Sequence, residues 1–359
     1  MPHTKAGGSQ GDCEAEIRIA FLKQAEWCEI LGSPFTARVC TVASEVLDHS
    51  TETGRRILTW AGNSGGSDDA LALRFAGGLH GLKRDGTSAA LAKVYPPHDP
   101  SDEELYQAIR QTLCDCDEAL CACLDLPPQT NEVARSAILM AGLMAVSADM
   151  GLPVRLYELG ASAGLNLVPE LYGYQFGVLK TGAPDARLIL KPEWNGTPPP
   201  DATVSVVARR GVDLNPLDVT NADDRARMMA YVWADQPERM HRIEAAVETT
   251  RSARPELEKG DAAEWLAQQL AQHPDDGVCR VVMHSIAFQY FPVGIQEKIT
   301  NLMVETGANA SSRTPLAWLR FELDDASSSE ASLRVTLWPD GTERLLACAD
   351  PHVRKVRWF

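Results

Sequence analysis

The sequence predicts an α/β protein in two parts, an all-helical N-terminal domain of residues 1–150 and a domain of residues 151–359 built on a mainly parallel sheet. Three observations carry this reading. Before position 150 apolar residues recur near every 3.6 positions, as Ile17, Phe21, Ala25 and Cys28 do, and again Leu71, Phe75, Leu79 and Leu82, the period of a half-buried helix. After Pro153 short apolar runs alternate with helix-like segments, the texture of βαβ units. No run before Pro153 reads as a strand.

Taken in order, the helical half is punctuated at residues 62–66, at Tyr95-Pro96-Pro97 and at Pro127-Pro128, each suited to a short connection between helices. Residues 154–159 form the first expected strand, and Ala163 opens the helix expected after it. Residues 173–200 carry Pro and Gly and are expected as an insertion with short strands. Residues 204–214 resume as a strand with Asp213 at its tip. A helix over 223–248, interrupted near Pro237, leads to a short strand over 257–261 that ends on Asp261. A strand at 279–283, a helix at 295–305 and a strand at 316–323 follow. A hairpin of 333–337 with 345–348, turning at Pro339-Asp340-Gly341, completes the sheet.

With 45% hydrophobic and 23% charged residues, the chain has the composition of a globular protein and the length for two cores. No apolar stretch approaches the about eighteen residues of a membrane span, and the start, with Gly7, Gly8 and Ser9, lacks the basic and apolar regions of a secretion signal. A cytoplasmic protein with no membrane partner is expected. The formal net charge of −15 opposes the phosphate neutralisation on which nucleic-acid affinity depends, so the expected partner is a small-molecule substrate. Nine cysteines without a signal peptide point to reduced thiols. Cys114, Cys116, Cys121 and Cys123 invite a zinc reading. On one helix, however, residues seven apart share a face and the two pairs diverge by about 200°, so no metal site is expected.

The chemistry concentrates at Leu156-Tyr157-Glu158-Leu159-Gly160-Ala161-Ser162-Ala163-Gly164-Leu165-Asn166-Leu167. An apolar strand carrying Glu158 meets small residues that let backbone approach a ligand, and a helix N-terminus is expected to follow. Gly211-Val212-Asp213-Leu214-Asn215-Pro216 supplies a second strand-tip acid suited to ribose hydroxyls, and Lys259-Gly260-Asp261-Ala262-Ala263-Glu264 supplies a third. At the fourth tip stand His284, Ser285, Gln289 and Tyr290.

These segments resemble the motifs of class I S-adenosylmethionine-dependent methyltransferases. Glu158, Gly160, Ser162 and Gly164 occupy the E-x-G-x-G-x-G places, with Ser162 where the family has its middle glycine. Asp213 falls in a segment similar to G-[IV]-D-x-S-P, and Asp261 in one similar to G-D-A. The resemblance implies a Rossmann-like, seven-stranded methyltransferase-type sheet and S-adenosylmethionine held by Glu158, Gly160, Ser162, Gly164, Asn166, Asp213 and Asp261. It also places the fourth tip beside the transferred methyl group, with His284 as the base and Ser285 and Tyr290 beside it. The whole chain is similar to an uncharacterised bacterial family known only by a domain-of-unknown-function label. That similarity runs through residues 73–80, 129–135, 318–322 and 349–352.

Gly160-Ala161-Ser162-Ala163-Gly164 is also a literal G-x-S-x-G, and Ser162, an acid such as Asp213 or Asp261, and His284 or His352 follow the chain order of a hydrolase triad. Two features oppose it: the chain before the turn reads as helical where a hydrolase has strands, and no His-Gly-Gly oxyanion segment is present. A non-catalytic descendant that binds a nucleoside or a partner through the same cleft is a third reading. Arg74, His80, Asn131, Glu132, Arg135 and Gln289 are expected to bind substrate in a pocket between the domains. Helix-crossing contacts are the alternative for the first five.

Overall fold

The computed structural model describes residues 10–65, 69–125, 127–129, 131–325 and 328–359. Gly7, Gly8, Ser9, Gly66 and Thr130, named or spanned above, lie outside them. In chain order the helices are α1 (Gln10–Ile30), α2 (Pro34–Val46), α3 (Glu52–Leu58), α4 (Leu71–Arg84), α5 (Ala89–Ala92), α6 (Asp102–Asp115), α7 (Asp117–Cys123), α8 (Arg135–Met150), α9 (Ala222–Ala230), α10 (Pro237–Ala253), α11 (Ala262–Ala271) and α12 (Val293–Ala308). The strands are β1 (Val154–Leu159), β2 (Gly173–Phe176), β3 (Leu179–Gly182), β4 (Ile189–Leu190), β5 (Glu193–Asn195), β6 (Val206–Asp213), β7 (Glu256–Lys259), β8 (Cys279–Ser285), β9 (Leu316–Leu323), β10 (Ala331–Trp338), β11 (Thr342–Ala349) and β12 (Lys355–Trp358). Contacts divide the chain into two compact units, Met1–Thr130 with Ala222–Met240, and Asn131–Asn221 with His241–Phe359.

The first unit is helical. Its core gathers both expected stripes, Ile17 to Cys28 on α1 and Leu71 to Leu82 on α4, with Phe21 against Phe75 at 6.3 Å and Phe35 against Tyr95 at 4.8 Å between ring centroids. α6 begins in a capping box of Ser101 and Glu104, which satisfies two otherwise orphaned donors. Glycines on α4 let other helices approach: a Cβ at Gly77 would lie 2.5 Å from the Tyr231 ring, and one at Gly78 would lie 3.1 Å from Cys123 Cβ. This close packing accounts for the placing of α9 and residues up to Met240 with the helical unit. The four clustered cysteines do not share a helix, because α6 ends at Asp115 and α7 starts at Asp117. Among the described residues no group of His, Cys, Asp or Glu is arranged to hold a metal ion, and no helix is long and apolar enough to cross a membrane.

The second unit holds a sheet ordered β5-β12-β11-β10-β9-β8-β1-β6-β7. It has nine strands among the described residues, where seven were expected, because the short β5 and β12 pair and extend one edge. The strands β7, β6, β1, β8 and β9 are parallel, and β9 to β12 turn antiparallel. β1 and β9 fall on the expected residues, and β10 and β11 form the expected hairpin. α8 is apolar around its whole circumference and buried, as a core helix should be. A Cβ at its Gly142 would sit 2.6 Å from Leu319 Cδ1, so this helix covers the sheet face to which Leu319 belongs. α11 and α12 cover the other face, where Trp265, Leu266, Ile299 and Met303 meet Tyr157, Leu159 and Trp318.

The helix expected from Ala163 is absent among the described residues. Two 3-10 turns, Leu165–Leu167 and Pro169–Leu171, stand in its place. Gly164 enters the first turn with φ +71°, and Pro169 both lacks an N–H and pushes Val168 out of helical geometry, so no α-helix can propagate. The insertion then folds as a small sheet ordered β3-β2-β4.

Candidate functional site

Tyr157 and Leu159 face α11 and α12, so strand alternation turns Glu158 toward the α8 face. Glu158 is only 3% exposed, and its Oε2 has no hydrogen-bond partner among the described residues. Burial, with the charge of Asp213 added, pushes the Glu158 carboxyl well above the usual carboxylate range against the opposing pull of Arg135.

The turn after β1 is left-handed at three places, with φ +72° at Gly160, +50° at Ser162 and +71° at Gly164. Gly160 is required by space as well, since a Cβ there would lie 2.7 Å from Ala287 Cβ. The N–H groups of Gly160 and Ala161 both donate to the Val212 carbonyl, at 2.9 and 3.0 Å. Ser162 N–H donates to Asp213 Oδ2 at 2.9 Å, while the Ser162 hydroxyl is buried without a partner among the described residues. Asn166 accepts the Ser136 hydroxyl at 2.6 Å.

Asp213 ends β6, where its Oδ1 also accepts from Asn215 N–H at 2.8 Å. Asp261 follows β7 and caps α11, accepting from Ala263 N–H at 2.9 Å and Glu264 N–H at 3.0 Å. Both acids thus hold local backbone first. A carboxylate offers about four lone-pair sites, so each keeps acceptor capacity.

At the β8 tip His284 is fully buried. Its Nδ1–H donates to Glu322 Oε1 at 2.7 Å, and its Nε2 accepts from Trp318 Nε1–H at 3.1 Å. The ring stacks on Phe288 at 4.8 Å. With both nitrogens engaged, the imidazole has no lone pair with which to take a proton from an acceptor, and the expected base role fails on that geometry. Glu322 also accepts the N–H groups of Ala287 and Phe288, each at 3.1 Å, so this acid fastens the turn that carries Ala287 onto Gly160. Ser285 is buried and its carbonyl accepts from Arg135 at 3.1 Å. Gln289 is exposed, as is Tyr290.

The loop before α8 joins these tips. Asn131 Nδ2 donates to the Ala161 carbonyl at 3.2 Å and Arg135 Nε to the Pro351 carbonyl at 3.0 Å. Glu132, buried, accepts from Ala134 N–H and meets His352 Nδ1, both at 3.1 Å. Asn131, Glu132 and Arg135 are therefore brought together with Glu158, Ser162, Asp213 and Ser285 in one compact unit. Arg74 and His80 belong to the helical unit. Arg74 donates to the Asp69 and Leu124 carbonyls at 2.6 and 2.9 Å. His80 Nδ1 meets the Ala230 carbonyl at 3.1 Å, and burial pushes its imidazole down to about 4. These contacts are the helix-crossing roles weighed above.

Sequence reasoning missed Glu322 and Ser136 as parts of this network. Glu322 did carry a signal, an acid inside a strand that is otherwise nearly all apolar and so demands hydrogen-bond partners.

No curated protein and no solved structure matches the chain. The model of a bacterial family does, over residues 18–358. The chain therefore belongs to DUF2332, described as an uncharacterized protein conserved in bacteria.

Proposed function

We propose that the tips of β1, β6 and β7 bind S-adenosylmethionine and that the protein is a methyltransferase with a small-molecule acceptor. One observation carries the reading. The chain leaves β1 toward β6 and β7 on one side and returns to β8 and β9 on the other, which makes the carboxyl end of β1 a topological switch point, the usual ligand crevice of an open α/β sheet. At that point sits Glu158, whose buried Oε2 has no hydrogen-bond partner among the described residues. The strand order β7-β6-β1-β8-β9 and the position of Asp213 at the end of β6 support this reading.

Methyl transfer rests chiefly on in-line positioning. With His284 engaged at both nitrogens, the acceptor suits a nucleophile already ionised in solution, such as a carboxylate or thiolate, for which no side-chain base is needed. The same His284 geometry favours a second reading, a nucleoside-binding protein without transfer. The hydrolase reading loses support, because the buried Ser162 hydroxyl has no hydrogen-bond partner among the described residues.

Calorimetric titration with S-adenosylmethionine and S-adenosylhomocysteine tests the proposal. Micromolar binding, about −8 kcal/mol, is expected. Absence of binding by both at millimolar concentration overturns it, and binding without methyl transfer to any of a panel of carboxylates and thiols selects the second reading.

A further inference from the structure

Four of the thirteen large apolar side chains that stand exposed among the described residues fall on one stretch of α1: Ile19 at 51%, Leu22 at 42%, Trp27 at 55% and Ile30 at 67%. The opposite face of α1 already supplies the core, through Ile17, Phe21, Ala25 and Cys28. A surface helix needs only one apolar face. Apolar residues exposed singly need no account, but a stripe of four marks an interaction surface. Lys23 and Glu26 are the exposed charges within the stripe.

The order of these residues is self-complementary. Counted outward from the point between Gln24 and Ala25, Lys23 answers Glu26, Leu22 answers Trp27 and Ile19 answers Ile30. Around the helix Ile19 and Ile30 lie only about 20° apart, Lys23 and Glu26 stand close on either side of their line, and Leu22 and Trp27 occupy its two flanks. A two-fold axis at that point lays a second α1 antiparallel to the first and brings each residue level with its counterpart.

We propose that this face is an interface between two copies of the chain, paired antiparallel through α1. Ile19 of each copy packs on Ile30 of the other, and Lys23 of each meets Glu26 of the other. The two Leu22 side chains meet on one flank and the two Trp27 rings on the other. Opposite charges select this arrangement, because a parallel pair would set Lys23 level with Lys23 and Glu26 level with Glu26. The contact runs along about 16 Å of helix, short for the about 800 Å² per partner of a stable interface, so the dimer is reversible. The inference is independent of the cofactor reading.

Sedimentation equilibrium of the full chain from about 1 to 100 μM tests it, with dimerisation expected in that range. Trp27→Glu is expected to weaken the dimer about a hundredfold, because symmetry presents the lost ring twice. Lys23→Glu sets like charges level with Glu26 of the other copy, and Glu26→Lys does the same with Lys23. Each is expected to dimerise about tenfold more weakly at low salt. Mixed in equal amounts, these two variants regain opposite charges at both pairs and are expected to form a heterodimer as tight as the wild-type dimer. Circular dichroism checks that each variant folds, and should Trp27→Glu fail there, the charge exchange carries the test alone. A monomer throughout the range, a dimer indifferent to folded Trp27→Glu, or charge variants that do not rescue one another overturns the proposal.

Discussion

Replacing Asp213 by alanine removes the acceptor for two backbone donors, Ser162 N–H at 2.9 Å and Asn215 N–H at 2.8 Å. Hydrogen bonds to a charged group contribute about 1.5 to 3 kcal/mol each, and the half-buried position of Asp213 favours the lower end, so the pair accounts for about 3 kcal/mol. Ser162 adds to the consequence, because its φ of +50° is strained for a residue with a side chain, and its N–H bond to Asp213 helps hold it there. For a unit of roughly 200 residues a loss of about 3 kcal/mol lowers Tm by about 6 to 12 °C. Asp213→Asn keeps one oxygen and should lose about half as much. Differential scanning calorimetry of the three proteins gives the comparison. A melting point for Asp213→Ala within about 2 °C of wild type would refute the role of this carboxylate as the clasp of the β1 turn.

Three other outcomes follow from the same geometry. Glu322→Ala leaves His284 Nδ1–H and the N–H groups of Ala287 and Phe288 without their acceptor, so urea unfolding should show a loss of about 3 to 5 kcal/mol, with Glu322→Gln losing less; equal stability of all three proteins would remove Glu322 from this role. Burial holds the His80 imidazole down at about 4, below its unfolded value of about 6.5. The unfolded chain therefore binds the extra proton first, and stability complete above about pH 6.5 falls by about 3 kcal/mol as pH drops to about 4. His80→Gln should flatten that limb of the stability curve, and an unchanged slope sinks the assignment. Ser162→Gly relieves the left-handed backbone and should keep or raise stability by up to about 1 kcal/mol, whereas stoichiometric labelling of wild-type Ser162 by a fluorophosphonate would restore the hydrolase reading.

The strands of the second unit were legible because buried parallel strands are written as short apolar runs, which is why β1 and β9 fall on the residues read from sequence. The missing helix after β1 was written there too, in Val168-Pro169, but the glycine-rich turn resembled a pattern that normally feeds a helix and outweighed it. The short β5 and β12 carry too few residues for period two to stand out. Long-range pairing is silent in a single sequence. Glu132 and His352 meet although 220 positions apart, and α9 packs on the glycines of α4 although its sequence lies within the α/β part. Strand-tip residues could be listed, but whether a listed side chain has a free atom depends on contacts of this kind. His284 shows the cost: its position was read correctly, while Trp318 and Glu322, which take both its nitrogens, sit 34 and 38 positions away.

Glu158 and Glu322 stand on the same sheet and both lie near the carboxyl ends of their strands, yet they are satisfied very differently. Glu322 accepts from an imidazole and two backbone amides, so all of its desolvation is offset inside the protein, and its role is complete without any ligand. Glu158 has been taken further out of water and has an oxygen that no donor among the described residues meets. An unmet buried polar atom costs about 1 to 3 kcal/mol, a considerable share of a stability of about 5 to 15 kcal/mol. Leucine or methionine at position 158 would avoid that cost in the folded chain. Residues that break the packing rules in this way concentrate where function requires them. The contrast therefore separates the two acids: Glu322 is satisfied as framework, and Glu158 carries an unmet acceptor, among the described residues, at the carboxyl end of β1.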